Sequence, residues 1–320
     1  MKVVIGVNQM GLEKSIPDLR RRYPSLEFQH CANARELQTT LADADVYLGW
    51  LSRDAFQAAR RLKWIQSPSS GVDHFLEIPE LAGGDVLLTS AVGTHGACLA
   101  ETALAMILAF TRGVRSSILA QERRRWAVAE LRPGLVELTG STLGIIGFGV
   151  SGRSLAERAR AFGMRIIAVD RFPGEKPEHV AELWGLDHLP DTLRSADYVV
   201  VTVPRAPGSR GLIGAAQIAL MKPTAMLVGI SRGGIIDQAA LALALREKRI
   251  AAAALDVFEP EPLPGDSELW SLDNLLIMPH IAGGTQFEGK HVMDLFYENL
   301  ERFVEGVRPL RNQVDKARGF

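Results

Sequence analysis

Short runs of apolar, often β-branched residues alternate along the chain with stretches whose apolar positions recur every three or four residues. The first kind of run reads as a strand and the second as an amphipathic helix, so their alternation predicts βαβ units and a mostly parallel sheet. In the first third the strand-like runs are VVIGV (3–7), VYLGW (46–50), LKWIQ (62–66) and VLLTS (86–90). A more regular series begins at residue 143 with LGIIGF (143–148), RIIAVD (165–170), YVVVTV (198–203), AMLVGI (225–230), AAALDV (252–257) and LLIMPH (275–280). These runs lack the polar alternation of a half-exposed strand, as expected when both faces of a sheet are covered.

Between the two series one long helical pattern extends from about Leu99 to Trp126 and ends before the breaker RPG at 132–134. A last amphipathic helix is expected from about Gln286 to Val304. Glycine-rich joints at 93–96 and 283–284 flank the second series and are the expected hinges. The predicted organisation is a central domain over residues 97–284, inserted into one assembled from residues 1–96 and 285–320. A chain of 320 residues has room for two such domains.

Composition narrows the class. The chain is 47% hydrophobic and 23% charged, ample for a buried core, and its formal net charge of -1 offers no basic excess for binding nucleic acid. Its two cysteines, Cys31 and Cys98, make neither a disulfide framework nor a metal box, so no metal is expected and a reducing, cytoplasmic setting is. The apolar run at 97–110 carries Glu101 and falls short of the roughly 20 residues a membrane span needs. The five-residue apolar run after Lys2 is too short for a secretory leader, so no membrane partner is expected.

The second series opens with TLGIIGFGVSGRSLAERA (142–159), where Gly147, Gly149 and Gly152 form a G-x-G-x-x-G turn between a strand and a helix. In that context the first glycine makes the tight turn and the second lets backbone approach a pyrophosphate. The third lets helix and strand pack, and the helix N-terminus faces the anion. Asp170 ends the next strand, 18 residues past the last glycine. A carboxylate there accepts hydrogen bonds from the adenosine ribose and repels a 2′-phosphate, so NAD is the expected cofactor. NADP is the weaker alternative because Arg171 follows directly. Arg153 is placed to reach a phosphate or solvent alike.

Ligands of an open α/β sheet lie beyond the carboxyl ends of its strands. The tails of the second series supply Gly147, Asp170, Pro204, Arg232, Asp256 with Glu261, and His280, a convergence of functional groups on one edge. Arg232, before a glycine pair, offers a planar fork suited to a carboxylate or carbonyl, with an ion pair to Asp237 or Asp256 as the structural alternative. His280 is the one histidine of seven at the end of a strand-like run; His30, His74, His95, His179, His188 and His291 fall in loops or helices, where packing or surface roles are the expectation. Glu261, on a proline-stiffened loop, is the expected carboxylate partner of His280, with Glu259 as its rival; such a partner fixes the tautomer of a general acid.

Taken with SPSSGVDH (67–74) and ACLAETALAMIL (97–108), the stretches GSTLGIIGFGVSGRSLAERARAFGMRIIAVDR, ISRGGIIDQAAL, ALDVFEPEPLPGDSELW and MPHIAGGT resemble, in order and spacing, the D-isomer-specific 2-hydroxyacid dehydrogenases. The resemblance implies an α/β protein of two doubly wound, mostly parallel domains, a Rossmann-like cofactor domain inserted in a flavodoxin-like substrate domain. It implies oxidoreductase chemistry in which a small 2-oxo acid and its D-2-hydroxy acid are interconverted with NAD(H), glyoxylate and hydroxypyruvate being the leading substrates. His280 would be the general acid/base, Glu261 its partner, and Arg232 the ligand of the substrate's carbonyl and carboxylate oxygens. The backbone of Ser70, Gly71 and Val72 would grip the carboxylate, with Arg232 and His280 completing the substrate contacts. Expected cofactor contacts are Gly147, Phe148, Gly149, Val150, Ser151 and Gly152 in the turn, then Asp170, Arg171, Val203, Pro204, Ile230, Ser231, Asp256 and Gly283. A homodimer joined through the long central helix region is the family expectation.

Two departures from the family pattern bear on cofactor geometry. Gly229 stands three positions before the arginine, where asparagine is usual, and the loop after VTVP reads RAPGS rather than being Thr-rich. Trp50, Leu51, Arg53, Ser69, His74 and Trp270 are candidates for the pocket lining, with packing the equal alternative. The competing readings are a phosphite oxidase on the same scaffold and a non-enzymatic NAD sensor or corepressor-like protein. An intact Arg–Glu–His set weighs against the sensor, and an acidic residue at 261 weighs against formate oxidation.

Overall fold

A computed structural model describes all 320 residues. They fall into two compact units, one of Met1–His95 with Thr285–Phe320 and one of Gly96–Gly284.

The first unit is built on five parallel strands, β1 (Lys2–Ile5), β2 (Glu27–His30), β3 (Val46–Leu48), β4 (Trp64–Gln66) and β5 (Leu87–Thr89), in the order β2-β1-β3-β4-β5. This is the flavodoxin-like order. The helix Glu288–Glu305 packs on one face of the sheet. Its buried stripe of Val292, Met293, Phe296 and Leu300 meets Val3, Ile5, Leu48 and Trp64, with the Trp64 and Phe296 rings 5.3 Å apart. Asn299 lies on that stripe yet is fully buried, and its polar atoms are all occupied. Its Nδ2 donates to Gln66 Oε1 (3.1 Å) and to the Arg311 carbonyl (3.0 Å), while its Oδ1 accepts from the Arg311 amide (2.7 Å). Thr89 Oγ1 donates to the same Gln66 oxygen (2.7 Å) and accepts from Trp64 Nε1 (2.8 Å). A satisfied polar network of this kind fixes how the two chain ends join.

The second unit contains β6 (Thr142–Ile146), β7 (Arg165–Val169), β8 (Glu182–Trp184), β9 (Tyr198–Val201), β10 (Met226–Gly229), β11 (Ala252–Leu255) and β12 (Leu275–Ile277). They form one parallel sheet in the order β12-β11-β10-β9-β6-β7-β8, a Rossmann arrangement whose winding reverses between β6 and β9. Ile145, Val200, Val228 and Ala254 face one buried layer, and Val199, Val201, Leu227 and Ala253 face the other. Two covered faces are why these strands read as continuous apolar runs.

The long central helix of the sequence reading is in fact two. Gly96–Thr111 and Val114–Glu122 meet at a bend of 63°, with Gly113 between them at φ 66. Only glycine takes that left-handed conformation readily, and a β-carbon there would come within 2.9 Å of Leu135. No single helix is long and apolar enough to cross a membrane. The sequence reading also omitted β2 and β8. Both lie at sheet edges and carry few fully buried side chains, so neither shows a continuous apolar run.

Replacing Asn299 by Ala leaves the Arg311 amide and one Gln66 lone pair without this partner inside the first unit. We expect a loss of about 2–4 kcal/mol, read from urea denaturation followed by the fluorescence of nearby Trp64.

Candidate active site

The turn after β6 shows what each of its glycines does. Gly147 has φ +92, and a β-carbon on it would lie 2.8 Å from the Val203 amide, so this position accepts no side chain. Thr202 Oγ1 donates to the Gly147 carbonyl at 2.6 Å and pins the turn to the end of β9. A β-carbon on Gly152 would lie 2.4 Å from the Gly147 carbonyl oxygen, which is how closely the helix Val150–Arg160 approaches the strand it follows. Gly149 differs, because nothing lies within 4 Å of its missing β-carbon. The bare backbone at 149 is therefore not demanded by packing. It leaves an open approach at a helix N-terminus where an anion is favoured.

Asp170 follows β7 and braces this turn, its Oδ2 accepting from the Phe148 amide (2.6 Å) and its Oδ1 from the Phe172 amide (2.8 Å). Phe148 is buried, whereas Val150 is exposed and Ser151 half-buried. Arg153 lies over the Phe148 ring at 4.8 Å and donates to the Glu175 carbonyl (3.1 Å). Arg171 points to the loop after β9, donating to the Pro207 carbonyl (3.1 Å). Pro204 is exposed, and Val203 and Ser231 are half-buried. Ile230 is buried, and the Gly283 carbonyl accepts from Cys98 Sγ at 3.1 Å.

Beyond β11 and β12 the chain assembles a histidine–carboxylate pair. His280 Nδ1 is 2.6 Å from Glu261 Oε2, and Glu261 Oε1 accepts from the Phe258 amide at 2.7 Å. Both side chains remain accessible, at 47% and 34%. His280 has φ 56, a conformation that costs a non-glycine residue energy and must be held by its surroundings. The holder is Asp256, only 1% exposed at the end of β11. Its two oxygens accept from the amides of Ile281 (2.8 Å) and Ala282 (2.9 Å), immediately after the histidine. Asp256, an expected cofactor contact, thus also holds this loop through its carboxylate.

Glu259, the rival partner, has a different job. Its Oε1 pairs with Arg210 Nη1 (2.6 Å) and Arg205 Nη2 (3.0 Å), and the Arg210 guanidinium holds its carboxyl below the ordinary glutamate range. Gln238 bonds both the Glu259 amide (2.7 Å) and its carbonyl (3.0 Å). The unfamiliar RAPGS loop is thus tied by Arg205 to the segment that leads to Glu261. Nothing in the pattern of apolar residues signals this network, since its members are polar and distant in sequence.

Arg232 is half-buried just past β10, with Nη1 donating to the Ser231 carbonyl at 2.8 Å. The next residue packs against the carboxylate loop so closely that a β-carbon on Gly233 would lie 1.8 Å from the Phe258 carbonyl oxygen. Arg232 and Glu261 are therefore borne by two segments in backbone contact. Asp237, offered as a structural partner for Arg232, caps the helix Gln238–Arg246 by accepting from the Ala240 amide (3.0 Å). Gly229 also has a packing reason, because a β-carbon there would be 2.8 Å from both Ile236 and Leu255.

In the first unit Ser70, Gly71 and Val72 follow β4. The Gly71 amide donates to Ser69 Oγ (3.3 Å), and the buried Val72 caps the short helix Asp73–Leu76 through its carbonyl. Of the pocket-lining candidates, Leu51 is buried and Arg53 forms a fork with Glu80 (2.7 Å). Trp50 is 42% exposed and lies against His74, ring centroids 4.8 Å apart. Trp270, in the second unit, is 54% exposed and donates to the Pro264 carbonyl at 2.8 Å.

The family model for the NAD binding domain of D-isomer specific 2-hydroxyacid dehydrogenases matches residues 104–282. The chain is 35% identical over 323 residues to a glyoxylate reductase of Thermococcus onnurineus, a match covering 97% of this chain and 95% of that one. It is also 35% identical over 278 residues to the D-3-phosphoglycerate dehydrogenase of Methanocaldococcus jannaschii, across 85% of this chain and 52% of that one. The chain thus spans about half the length of the phosphoglycerate dehydrogenases it matches. The NADPH-dependent glyoxylate/hydroxypyruvate reductase from Sinorhizobium meliloti, solved with NADP and sulfate, shares its fold with a TM-score of 0.86 at 28% identity, covering 100% of both chains. The chain belongs to the D-isomer specific 2-hydroxyacid dehydrogenase family.

The glycine turn yields a paired test. Gly152→Ala should lower stability by about 1–3 kcal/mol in a thermal melt, because backbone must shift to admit the methyl group. Gly149→Ala should leave the melt unchanged while weakening a nicotinamide dinucleotide in a fluorescence titration, since no protein atom lies within 4 Å of the added β-carbon.

Proposed function

We propose that the protein is an NAD(H)-dependent reductase of a small 2-oxo acid, giving the D-2-hydroxy acid, and that it also runs in reverse. The observation that carries this reading is the Glu261–His280 pair, held at the carboxyl edge of the same parallel sheet whose first turn leaves Gly149 open. Those turn residues fit a dinucleotide, with the pyrophosphate at the N-terminus of the helix Val150–Arg160 and Asp170 toward the ribose. A carboxylate at 170 disfavours a 2′-phosphate, and Arg171, engaged with Pro207, does not offset it, so NADH is the preferred coenzyme.

When bound, the nicotinamide supplies or takes up the hydride. The chain's own part is proton and charge management. Glu261 can only accept, so it fixes a proton on His280 Nδ1 and makes Nε2 the atom that exchanges with the substrate oxygen. In reduction Nε2 gives its proton to the carbonyl oxygen, and in oxidation it takes the hydroxyl proton. Arg232 donates to the carbonyl and carboxylate oxygens, and its fixed charge stabilises the oxygen as negative charge builds there, a task worth roughly 3 kcal/mol for one well-placed donor. Ser70, Gly71 and Val72 bind the carboxylate through backbone. Asp256 holds the His280 loop in its strained shape.

Purified protein, assayed by absorbance with NADH or NADPH and a panel of 2-oxo acids, should turn over small members such as glyoxylate or hydroxypyruvate, faster with NADH. His280→Asn should keep the fold and coenzyme binding but lose about 10²–10⁴-fold in kcat. A variant retaining a tenth of wild-type turnover would remove His280 from the acid/base role.

We also infer a homodimer. Val114, Ile118, Trp126 and Val128, within fifteen residues of one another in the second unit, are 48%, 53%, 95% and 50% exposed, apolar side chains of the kind a subunit interface covers. Light scattering after gel filtration should report twice the mass of one chain, and Ile118→Glu with Trp126→Glu should shift it to the monomer.

A further inference from the structure

A second histidine–carboxylate pair lies in the first unit. His95 is 8% exposed, and its Nε2 is 3.3 Å from Oε1 of Glu288, in the first turn of the helix Glu288–Glu305. Its Nδ1 is 2.7 Å from Thr94 Oγ1 and 3.1 Å from Ser70 Oγ. The two hydroxyls share a third neighbour, the Ala91 carbonyl, at 2.7 Å from Thr94 Oγ1 and 3.1 Å from Ser70 Oγ. His291, the other ionisable group close by, is 3.2 Å from the Thr94 carbonyl through its Nδ1.

The hydrogen-bonding capacities assign the protons. A carboxylate has none to give, so Nε2 of His95 carries one toward Glu288, and Nδ1 faces the two hydroxyls. Thr94 Oγ1 and Ser70 Oγ both donate to the Ala91 carbonyl, and both lie within hydrogen-bond distance of Nδ1. The same loop is tied again by the Ala91 amide, which donates to the Ser69 carbonyl at 2.9 Å. Ser70 is therefore clamped by a buried imidazole, itself oriented by a carboxylate 193 positions from it in sequence.

We propose that His95, oriented by Glu288, is a positioning residue that sets the Ser70–Val72 loop for the substrate carboxylate. The inference rests on the reductase reading above. It assigns His95 no contact with substrate: the imidazole acts through the Ser70 hydroxyl, which fixes the backbone that binds. Loss of the clamp should weaken capture of the 2-oxo acid and leave the hydride and proton steps nearly intact.

The test is steady-state kinetics on the full chain with NADH and a 2-oxo acid that the wild type reduces. His95→Ala should raise KM for the acid about tenfold or more, with kcat within about threefold and coenzyme affinity unchanged. His95→Asn, whose carboxamide oxygen can stand where Nδ1 stands, should restore KM to within about threefold of wild type. Should His95→Ala fail to fold, Ser70→Ala removes the clamped hydroxyl alone and should show the same rise confined to KM. A KM for His95→Ala or Ser70→Ala within twofold of wild type would overturn the proposal. So would a joint decline of kcat, coenzyme affinity and melting temperature that asparagine does not rescue, since that marks a purely structural histidine. A wild type inert toward every 2-oxo acid would instead remove the reductase reading on which the inference stands.

Discussion

The arrangement of the second unit's chemistry hangs on the buried carboxylate of Asp256 and the two amides it receives. His280 sits at φ 56, a backbone region that a side-chain-bearing residue leaves unless it is constrained. Ile281 and Ala282, the next two residues, donate to a group that is 1% exposed and fixed at the end of β11. Charge-assisted bonds in such surroundings are strong enough to offset a local backbone cost of about 1–3 kcal/mol. They hold the backbone from which His280 makes its 2.6 Å contact with Glu261. The imidazole is thus aimed by a residue that never touches it.

The same economy recurs around the site. Glu261 is steadied by the Phe258 amide, and the segment between them is tied to the loop after β9 by Glu259 with Arg205 and Arg210. Asp170 steadies the glycine turn through the Phe148 amide. In each case an acidic side chain at or beyond a strand end accepts from backbone or from a guanidinium, so the parallel sheet sets positions and the carboxylates set directions. The sheet can do this because both its faces are covered, which leaves its strand ends as the place where irregular, functional backbone emerges.

Much of this was legible in the chain. The unbroken apolar runs announced strands covered on both sides, and all ten of those predicted are present. The glycine spacing marked the turn after β6, and the strand-end residues included the Glu261 and His280 that the fold pairs. What escaped reading has a common physical origin. β2 and β8 are edge strands whose partly exposed residues need no continuous hydrophobicity. The break at Gly113 depends on one left-handed residue inside an otherwise helical pattern. Recognising His95 required Glu288, far away in sequence, and the pairing of Glu259 with Arg205 and Arg210 likewise joins distant positions. Local pattern encodes burial well, but pairings between distant polar groups appear only once the chain is folded.

The interrupted first unit carries a consequence for how the molecule comes into being. Its central residues, Trp64 among them, are completed by Phe296 and Asn299 from the other chain end. During synthesis the inserted Gly96–Gly284 unit can therefore close around its own sheet while the β1–β5 layer still exposes one apolar face. Contacts between residues so far apart along the chain form late and slowly, and a waiting hydrophobic surface is where misassembly begins. The nascent first unit stays unfinished until the helix Glu288–Glu305 leaves the ribosome.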